Sequence, residues 1–270
     1  MRLKIELRAI NNKEITYNYH YPLAIAIYNL MKFGTYEFSE YLHKQGFDFA
    51  GKRYKLFTFA LQFRKFEIKQ EYIQMIDNYA DLYVSSPLID TFLQNQVMDY
   101  LEGKTIRVQN RDKDIKFVIE NVSIMSEPTF DVQEKFVLLS PMISSIKVDI
   151  EGVSGTYFLR YFDDLDDINR VLNEDLRAKY RTIFNHETDS YVTLAWDKEY
   201  LELNESRHKR MTTNITIDEN KRRISIVGNK LPFTLNGDPN LMRIGYDCGF
   251  GEKNSLGFGM VKMVKTNTAP

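Results

Sequence analysis

The residues best suited to chemistry crowd into one stretch, GYDCGFGEKNSLGFGMVK, at residues 245–262. Of the 13 glycines in the chain, Gly245, Gly249, Gly251, Gly257 and Gly259 fall there. Glycine reaches positive φ without steric cost and admits a second backbone, and successive free N–H groups of such a loop can cradle a phosphate. Lys253 adds a positive charge, and Asn254 and Ser255 add hydrogen-bonding groups. Gly249, Gly251, Lys253, Asn254, Ser255, Gly257 and Gly259 are therefore candidate contacts to a phosphate backbone. Two nucleotide loops are excluded. A dinucleotide fingerprint requires glycine where Asn254 stands, and a P-loop requires Lys-Ser or Lys-Thr after its last glycine. The same glycines would also serve as tight turns between packed elements.

Basic residues gather in three places: KRYK at 52–55, ESRHKRM at 205–211 and NKRR at 220–223. Lys52, Arg53, Arg207, Lys209, Arg210, Lys221, Arg222 and Arg223 are the candidate phosphate contacts. The intervening MTTNITI reads as a strand, so the last two groups flank a hairpin that is either a positive ridge or a solvated surface. The acidic run DDLDD at 163–167 belongs away from any polyanion. Of the four histidines, His20 lies in the aromatic stretch TYNYHYPL, where it could stack on a base or act as an acid. His186 sits in the polar NHETDS and His208 in a basic cluster, while His43 sits near the C-terminus of an expected short helix. No histidines or carboxylates have the HExxH spacing of a zinc site. The lone Cys248 has no cysteine partner for a disulfide or a zinc site. No catalytic metal and no cofactor are expected.

These groups must be positioned by elements legible in the hydrophobic period. LKIELRA (3–9) alternates as a strand. Leu23, Ile27, Leu30 and Met31 share a helical face from Pro22 to Lys32, with Pro22 in the first turn. A second short helix is expected over Tyr36–Lys44, before Gly46. Lys55, Phe57, Phe59, Leu61 and Phe63 alternate as one strand face, ADLYVSS reads as a strand and 87–101 as a helix. TIRVQN and IKFVIENVSIM add strands. The first half thus reads β-α-β-β-α-β, the ferredoxin-like order.

The second half repeats that order less plainly. FVLLSPMISSIKVDI and GTYFLRYF read as strand, and LDDINRVLNEDLRAKYRTIF (165–184) as a helix. YVTLAW, MTTNITI and RRISIVG follow as strands, then NLMRIGYDCGFG as a short helix running into the glycine loop. Polar and turn residues in SEPTFDVQEK (126–135) mark a boundary. The expectation is an α+β chain of tandem ferredoxin-like (RRM-like) domains, 1–130 and 131–270, each an antiparallel sheet with helices on one face.

With 270 residues, 43% hydrophobic and 27% charged, the chain has the balance of a folded protein long enough for two units. A formal net charge of -1 argues against a non-specific polyanion coat, so any nucleic-acid contact rests on local patches. The N-terminal MRLKIELRAI lacks the apolar core of a signal peptide, and no apolar run approaches bilayer length. A cytoplasmic protein without a membrane partner is expected.

GFGEKNSLGFGMVK following GY resembles the C-terminal glycine-rich signature of the CRISPR-associated repeat-cleaving endoribonucleases of the RAMP superfamily. The resemblance extends to the N-terminal strand, IYNLM, YLH, KLFTF and FVLLSP, and is carried by element order alone over roughly 185–235. It implies tandem ferredoxin-like units and a catalytic group of tyrosine, histidine and lysine. These match Tyr28 in IYNL, His43 in YLHK and Lys55 in KLFT. The implied reaction is metal-independent cleavage of CRISPR repeat RNA by its own 2′-hydroxyl, leaving a 2′,3′-cyclic phosphate and a 5′-hydroxyl. The implied roles are general acid for His43, charge stabilisation for Lys55, and either base or orienting group for Tyr28. Expected partners are the repeat RNA and a CRISPR effector complex, with the chain a monomer or homodimer. A non-catalytic RNA-binding relative and an unrelated interaction module are the alternatives.

Overall fold

A computed structural model describes residues 1–32, 47–49, 52–89, 100–110, 113–150, 152–206, 211–219 and 222–264. The expected helix over Tyr36–Lys44 lies outside them. The chain groups into two compact units. Unit 1 comprises Met1–Glu127, Thr216–Ile224 and Ser255–Gly257; unit 2 comprises Pro128–Ile215, Ser225–Asn254 and Phe258–Pro270.

Unit 1 opens with β1 (Arg2–Ala9), β2 (Glu14–Thr16) and helix α1 (His20–Lys32). Then come β3 (Phe47–Phe49), β4 (Lys52–Tyr54), β5 (Thr58–Phe63), β6 (Phe66–Ile68) and β7 (Tyr72–Met75). Next are β8 (Tyr79–Ser85), β9 (Thr105–Asn110) and β10 (Lys113–Met125). Ile89, Tyr100 and Leu101 are helical on either side of 90–99, which lie outside the described residues. The main sheet has the order β5-β8-β1-β10-β9, every pair antiparallel. With β9 as an added edge, β1 lies between β10 and β8, which is the ferredoxin-like arrangement.

Alternation in β1 sends Leu3, Ile5 and Leu7 into the core, where each is almost fully buried. Burial of each such side chain contributes about 1.5–3 kcal/mol. The opposite face carries Lys4, Glu6 and Arg8, and Arg64 reaches Glu6 at 2.6 Å and Asp81 at 2.7 Å. The strand expected from Lys55 begins only at Thr58, because Leu56 has φ 44 and interrupts the extended backbone. Leu56 and Phe57 are both buried.

Unit 2 contains β11 (Gln133–Leu138), β12 (Ser145–Ile150), β13 (Val153–Phe158), α2 (Leu165–Phe184) and β14 (Val192–Trp196). Helix α3 (Lys198–Glu205) precedes the hairpin β15 (Thr212–Glu219) and β16 (Arg222–Asn229), whose segment Thr216–Ile224 groups with unit 1. The unit closes with β17 (Phe233–Gly237), α4 (Pro239–Cys248) and β18 (Val261–Met263). Its sheet order, β14-β17-β11-β18, repeats that of unit 1 with all pairs antiparallel.

The DDLDD run starts α2: the Asp164 side chain accepts from Asp166 N–H at 2.9 Å, and Asp166 and Asp167 complement the positive end of the helix dipole. Edge strand β14 is closed from the side by α2. Asn173 donates to Val192 O and accepts from Val192 N–H, each at 2.8 Å, and Asn169 accepts from Leu194 N–H at 2.7 Å. Polar side chains thus satisfy backbone groups that an open edge would expose. Among the described residues no helix is long and apolar enough to cross a membrane.

Candidate functional site

Within unit 1, α1 and the segment entering β5 bring Tyr28 and Lys55 together. Tyr28 is 8% exposed and meets Phe57 edge-on, with ring centroids 5.5 Å apart. Lys55 Nζ stands 4.9 Å from the centre of the Tyr28 ring. The left-handed turn at Leu56 separates the two contacts, letting Lys55 and Phe57 approach one ring from successive positions. A β-branched or bulky residue at positive φ is sterically costly, so the surrounding packing must hold this turn.

Residues Ser255–Gly257 of the glycine-rich segment also belong to unit 1. Leu256 packs on the unit 1 core, and a Cβ at Gly257 would stand 2.4 Å from the Phe59 ring, so only glycine fits there. Burial pushes the Tyr28 phenol well above its usual 10. A phenol so placed stays protonated near neutrality and acts as a donor rather than a base.

In unit 2 the rest of the glycine segment is built for packing. Gly249, Gly251 and Gly259 have φ of 90, 74 and 73 and are buried. A Cβ would stand 2.2 Å from Ile143 O at Gly251, and 1.9 Å from Phe250 O at Gly259. N–H groups that could have cradled a phosphate are engaged: Gly249 N–H donates to Gly245 O, Phe250 to Gly259 O, Glu252 to Ile143 O, and Gly259 to Pro141 O. The Asn254 side chain donates to Phe258 O at 3.0 Å, bracing the loop from inside. Of the candidates here, Lys253, Asn254 and Ser255 are partly exposed, while Gly249, Gly251, Gly257 and Gly259 shape the backbone that carries them.

A buried ion pair holds the loop's carbonyls. Lys179 Nζ donates to Asp175 at 2.5 Å, to Gly249 O at 2.7 Å and to Gly251 O at 3.1 Å. Lys179 is 2% exposed and Asp175 9%. Sequence reasoning did not single out Asp175 or Lys179. The signal was present: Ile168, Leu172, Asp175, Leu176 and Lys179 share one stripe at three- and four-residue spacing.

His43 lies outside the described residues, as do Arg207, Lys209, Arg210 and Lys221 and the side chains of Lys52, Arg53, Arg222 and Arg223. Lys52 and Arg53 belong to β4 and Arg222 and Arg223 to β16. His20 does not face solvent as a base-stacking residue would: it is 7% exposed and stacks on Tyr19 at 4.6 Å. Its burial follows from its place in the first turn of α1, against the core. His186 is exposed, its Nε2 2.9 Å from the Tyr180 hydroxyl. Among the described residues no three His, Cys, Asp or Glu side chains form a metal-sized group. Helix α1 also borders a cleft of about 380 Å³, lined by Asn29, Lys104 and Arg107 among others, which sequence reasoning did not anticipate.

Comparison with known proteins gives two family matches that together span most of the chain. The model described as CRISPR-associated protein Cas6, N-terminal, matches residues 14–123, and CRISPR associated protein Cas6, C-terminal, matches 125–263. A protein of Methanocaldococcus jannaschii, CRISPR-associated endoribonuclease Cas6 1, is 34% identical, covering 98% of this chain and 93% of that protein. A solved structure titled CRISPR associated protein Cas6 aligns with TM-score 0.73 and 29% identity over 98% of this chain and 99% of its own. A second, from a Cas6-related gene of Pyrococcus furiosus, aligns with TM-score 0.78 at 20% identity over 98% of both chains, a likeness of fold.

Proposed function

Because this chain belongs to the Cas6 family of CRISPR-associated proteins, we propose that it is an endoribonuclease that cuts CRISPR repeat RNA without a metal. RNA carries its own nucleophile, the 2′-hydroxyl beside the scissile phosphate. The enzyme must align that hydroxyl, protonate the leaving 5′-oxygen and stabilise the phosphorane. The products are a 2′,3′-cyclic phosphate and a 5′-hydroxyl.

Lys55 supplies positive charge to the phosphorane oxygens, the kind of electrostatic contribution that usually dominates. Tyr28, kept protonated by burial, donates a hydrogen bond and orients. His43, with a reference pKa of about 6.5, is the general acid of this scheme. Lys253 and the basic residues of 52–53 and 207–223 hold the RNA backbone, which concentrates positive charge locally in a chain of net charge -1.

The observation that carries this reading is the 4.9 Å approach of Lys55 to Tyr28, two residues far apart in sequence and matched independently to the family's catalytic pattern. The test is cleavage of end-labelled repeat RNA in excess EDTA, beside a substrate with a 2′-deoxy residue at the cut. One discrete cut in EDTA, abolished by the deoxy substitution, is expected. Cleavage that requires added metal, or that survives the deoxy substitution, refutes the mechanism. Tight binding without cutting identifies a non-catalytic relative instead.

A further inference from the structure

We propose that the cleft between α1 and the edge strand β9 holds one nucleotide of the repeat RNA, with Lys104 on its phosphate. The proposal deepens the function above and rests on it for the identity of the ligand. The residues lining the cleft all belong to unit 1. β9 ends the main sheet, so among the described residues one flank of its backbone has no strand partner, and α1 packs beside it. The wall is apolar, for Ala26, Leu30 and Ile106 are buried there. The rim is polar, with Asn29, Lys104 and Thr105 exposed. An apolar wall with a few placed polar groups is the usual make-up of a small-ligand site. A volume of about 380 Å³ lies near the low end of the roughly 300–1,000 Å³ that such sites span, room for a nucleotide rather than a folded stem.

The charge of the cleft selects a phosphate. Lys104 makes no ion pair among the described residues, and its ammonium stands 4.6 Å from the centre of the Tyr100 ring, which positions the charge without neutralising it. Its backbone is pinned to β10, where Ile119 N–H donates to Lys104 O and Gly103 N–H donates to Ile119 O, each at 2.9 Å. Arg107, the other cation, is already paired, donating to the two carboxylate oxygens of Asp114 at 2.8 and 2.9 Å. Among the described residues no carboxylate lines this cleft, whereas the cleft of equal volume along α2 sets Asp166 and Glu174 beside Arg170 and Arg177. Asn29 and Thr105 add an amide and a hydroxyl that can hydrogen-bond the sugar or a base edge. The place suits RNA at the cut as well. Asn29 follows Tyr28 on α1, and Tyr28 turns toward Phe57 while Asn29 borders the cleft. A helix with its side chains is about 10–12 Å across, so the held nucleotide lies close along the strand to the phosphate that Tyr28 and Lys55 serve.

The experiment combines Lys104→Gln with a walk of single methylphosphonate linkages, each of which removes one phosphate charge, along the repeat RNA. Binding is read by fluorescence anisotropy over a range of salt, with a 2′-deoxy residue at the cut to prevent cleavage. Lys104→Gln, an exposed substitution, is expected to weaken binding roughly 3- to 10-fold and to lower the salt slope by about 0.7, the value for one phosphate of a single strand. One methylphosphonate close to the cut should weaken wild-type binding by a similar factor and have no further effect in Lys104→Gln. Asn29→Ala should weaken binding of the unmodified RNA less than Lys104→Gln does, since it removes no charge. A salt slope equal to that of the wild type overturns the proposal, as do losses that add at every methylphosphonate position. A wild-type chain that binds the RNA without cutting it ends the endoribonuclease reading alone, because the same walk on unmodified RNA still decides the cleft. A chain that binds no RNA overturns both.

Discussion

Replacing Lys179 with methionine tests the packing of the glycine loop most directly. The substitution keeps the volume and the aliphatic stem but removes the ammonium that bonds Asp175, Gly249 O and Gly251 O at 2.5, 2.7 and 3.1 Å. The Asp175 carboxylate is left without its lysine in a site where it is only 9% exposed, and two loop carbonyls lose a charged donor. Removing one partner of a buried ion pair costs about 3–5 kcal/mol. Each carbonyl left unsatisfied adds about 1–3 kcal/mol, less what relaxation or water recovers. With relaxation recovering part of the carbonyl terms, Lys179→Met should lose at least about 4 kcal/mol, a large share of the roughly 5–15 kcal/mol by which domains are stable. The second step is Asp175→Asn in the Lys179→Met background, which removes the stranded charge and should recover about half of the loss, since the carbonyls still lack their donor.

Trp196, the chain's one tryptophan, is buried in unit 2 against Phe233, so its fluorescence in urea reports that unit alone. Hydrogen exchange at the Phe250 and Glu252 amides localises the damage to the loop, because both donate to carbonyls within it or beside it. A loss below about 1 kcal/mol for Lys179→Met, or a double variant as unstable as the sum of the two singles, refutes the clasp.

The remaining predictions concern the site, the loop and acid stability. The phenol of Tyr28 stays protonated to above pH 10, so the cleavage rate should show no alkaline limb from this residue, and Tyr28→Phe should lower the rate without changing the shape of its pH profile. A limb near pH 9 that vanishes in Tyr28→Phe would restore Tyr28 as the base. Lys55→Ala should reduce the cleavage rate constant about 10²- to 10³-fold while binding falls far less; a defect confined to affinity would make Lys55 a backbone contact only. Gly259→Ala puts a methyl group 1.9 Å from Phe250 O at φ 73 and should cost about 2–5 kcal/mol, whereas Gly152→Ala, at φ 80 with open space around it, should cost only about 1–2 kcal/mol. Equal melting-temperature losses for the two would remove the packing argument. Hydrogen bonds from Lys135 and from Tyr200 N–H hold the Asp197 carboxyl below its usual value, so its stabilisation is full above about pH 4 and is lost as pH falls through the lower folded value. Asp197→Asn, which keeps a capping side chain, should thus differ from wild type at pH 6 and converge with it toward pH 2, as read by Trp196 unfolding; a constant gap would assign the effect to the cap.

Most of the elements were legible because their period is local. The alternation of Leu3, Ile5 and Leu7 and the three-four spacing along α2 are set by backbone geometry and by one buried face, and both appear in a short window of sequence. The ferredoxin-like order of the first half followed from that succession of elements, the second half repeated it less plainly, and the motifs GFGEKNSLGFGMVK, IYNL and KLFT carried the family. β17 was not anticipated, although it pairs with both β11 and β14: FTLNG is too short for a periodic signal, and its pairing across the sheet made it a strand. The start of β5 was misplaced because a single left-handed residue, Leu56, leaves no mark in hydrophobic pattern.

Only the tertiary structure decided which polar groups work together. Asp175 and Lys179 resemble a surface pair in sequence and are a buried clasp in the fold, since carbonyls at Gly249 and Gly251, some 70 residues on, take the remaining protons of the ammonium. Gly249 and Gly259 had been grouped with phosphate contacts, and their N–H groups proved to be engaged with Gly245 O and Pro141 O. Burial and hydrogen bonding depend on what the rest of the chain places around a side chain, and no local spacing encodes that. The kind of residue, its periodicity and its family were in the sequence; the protonation of Tyr28 and the purpose of each glycine came from the packing that surrounds them.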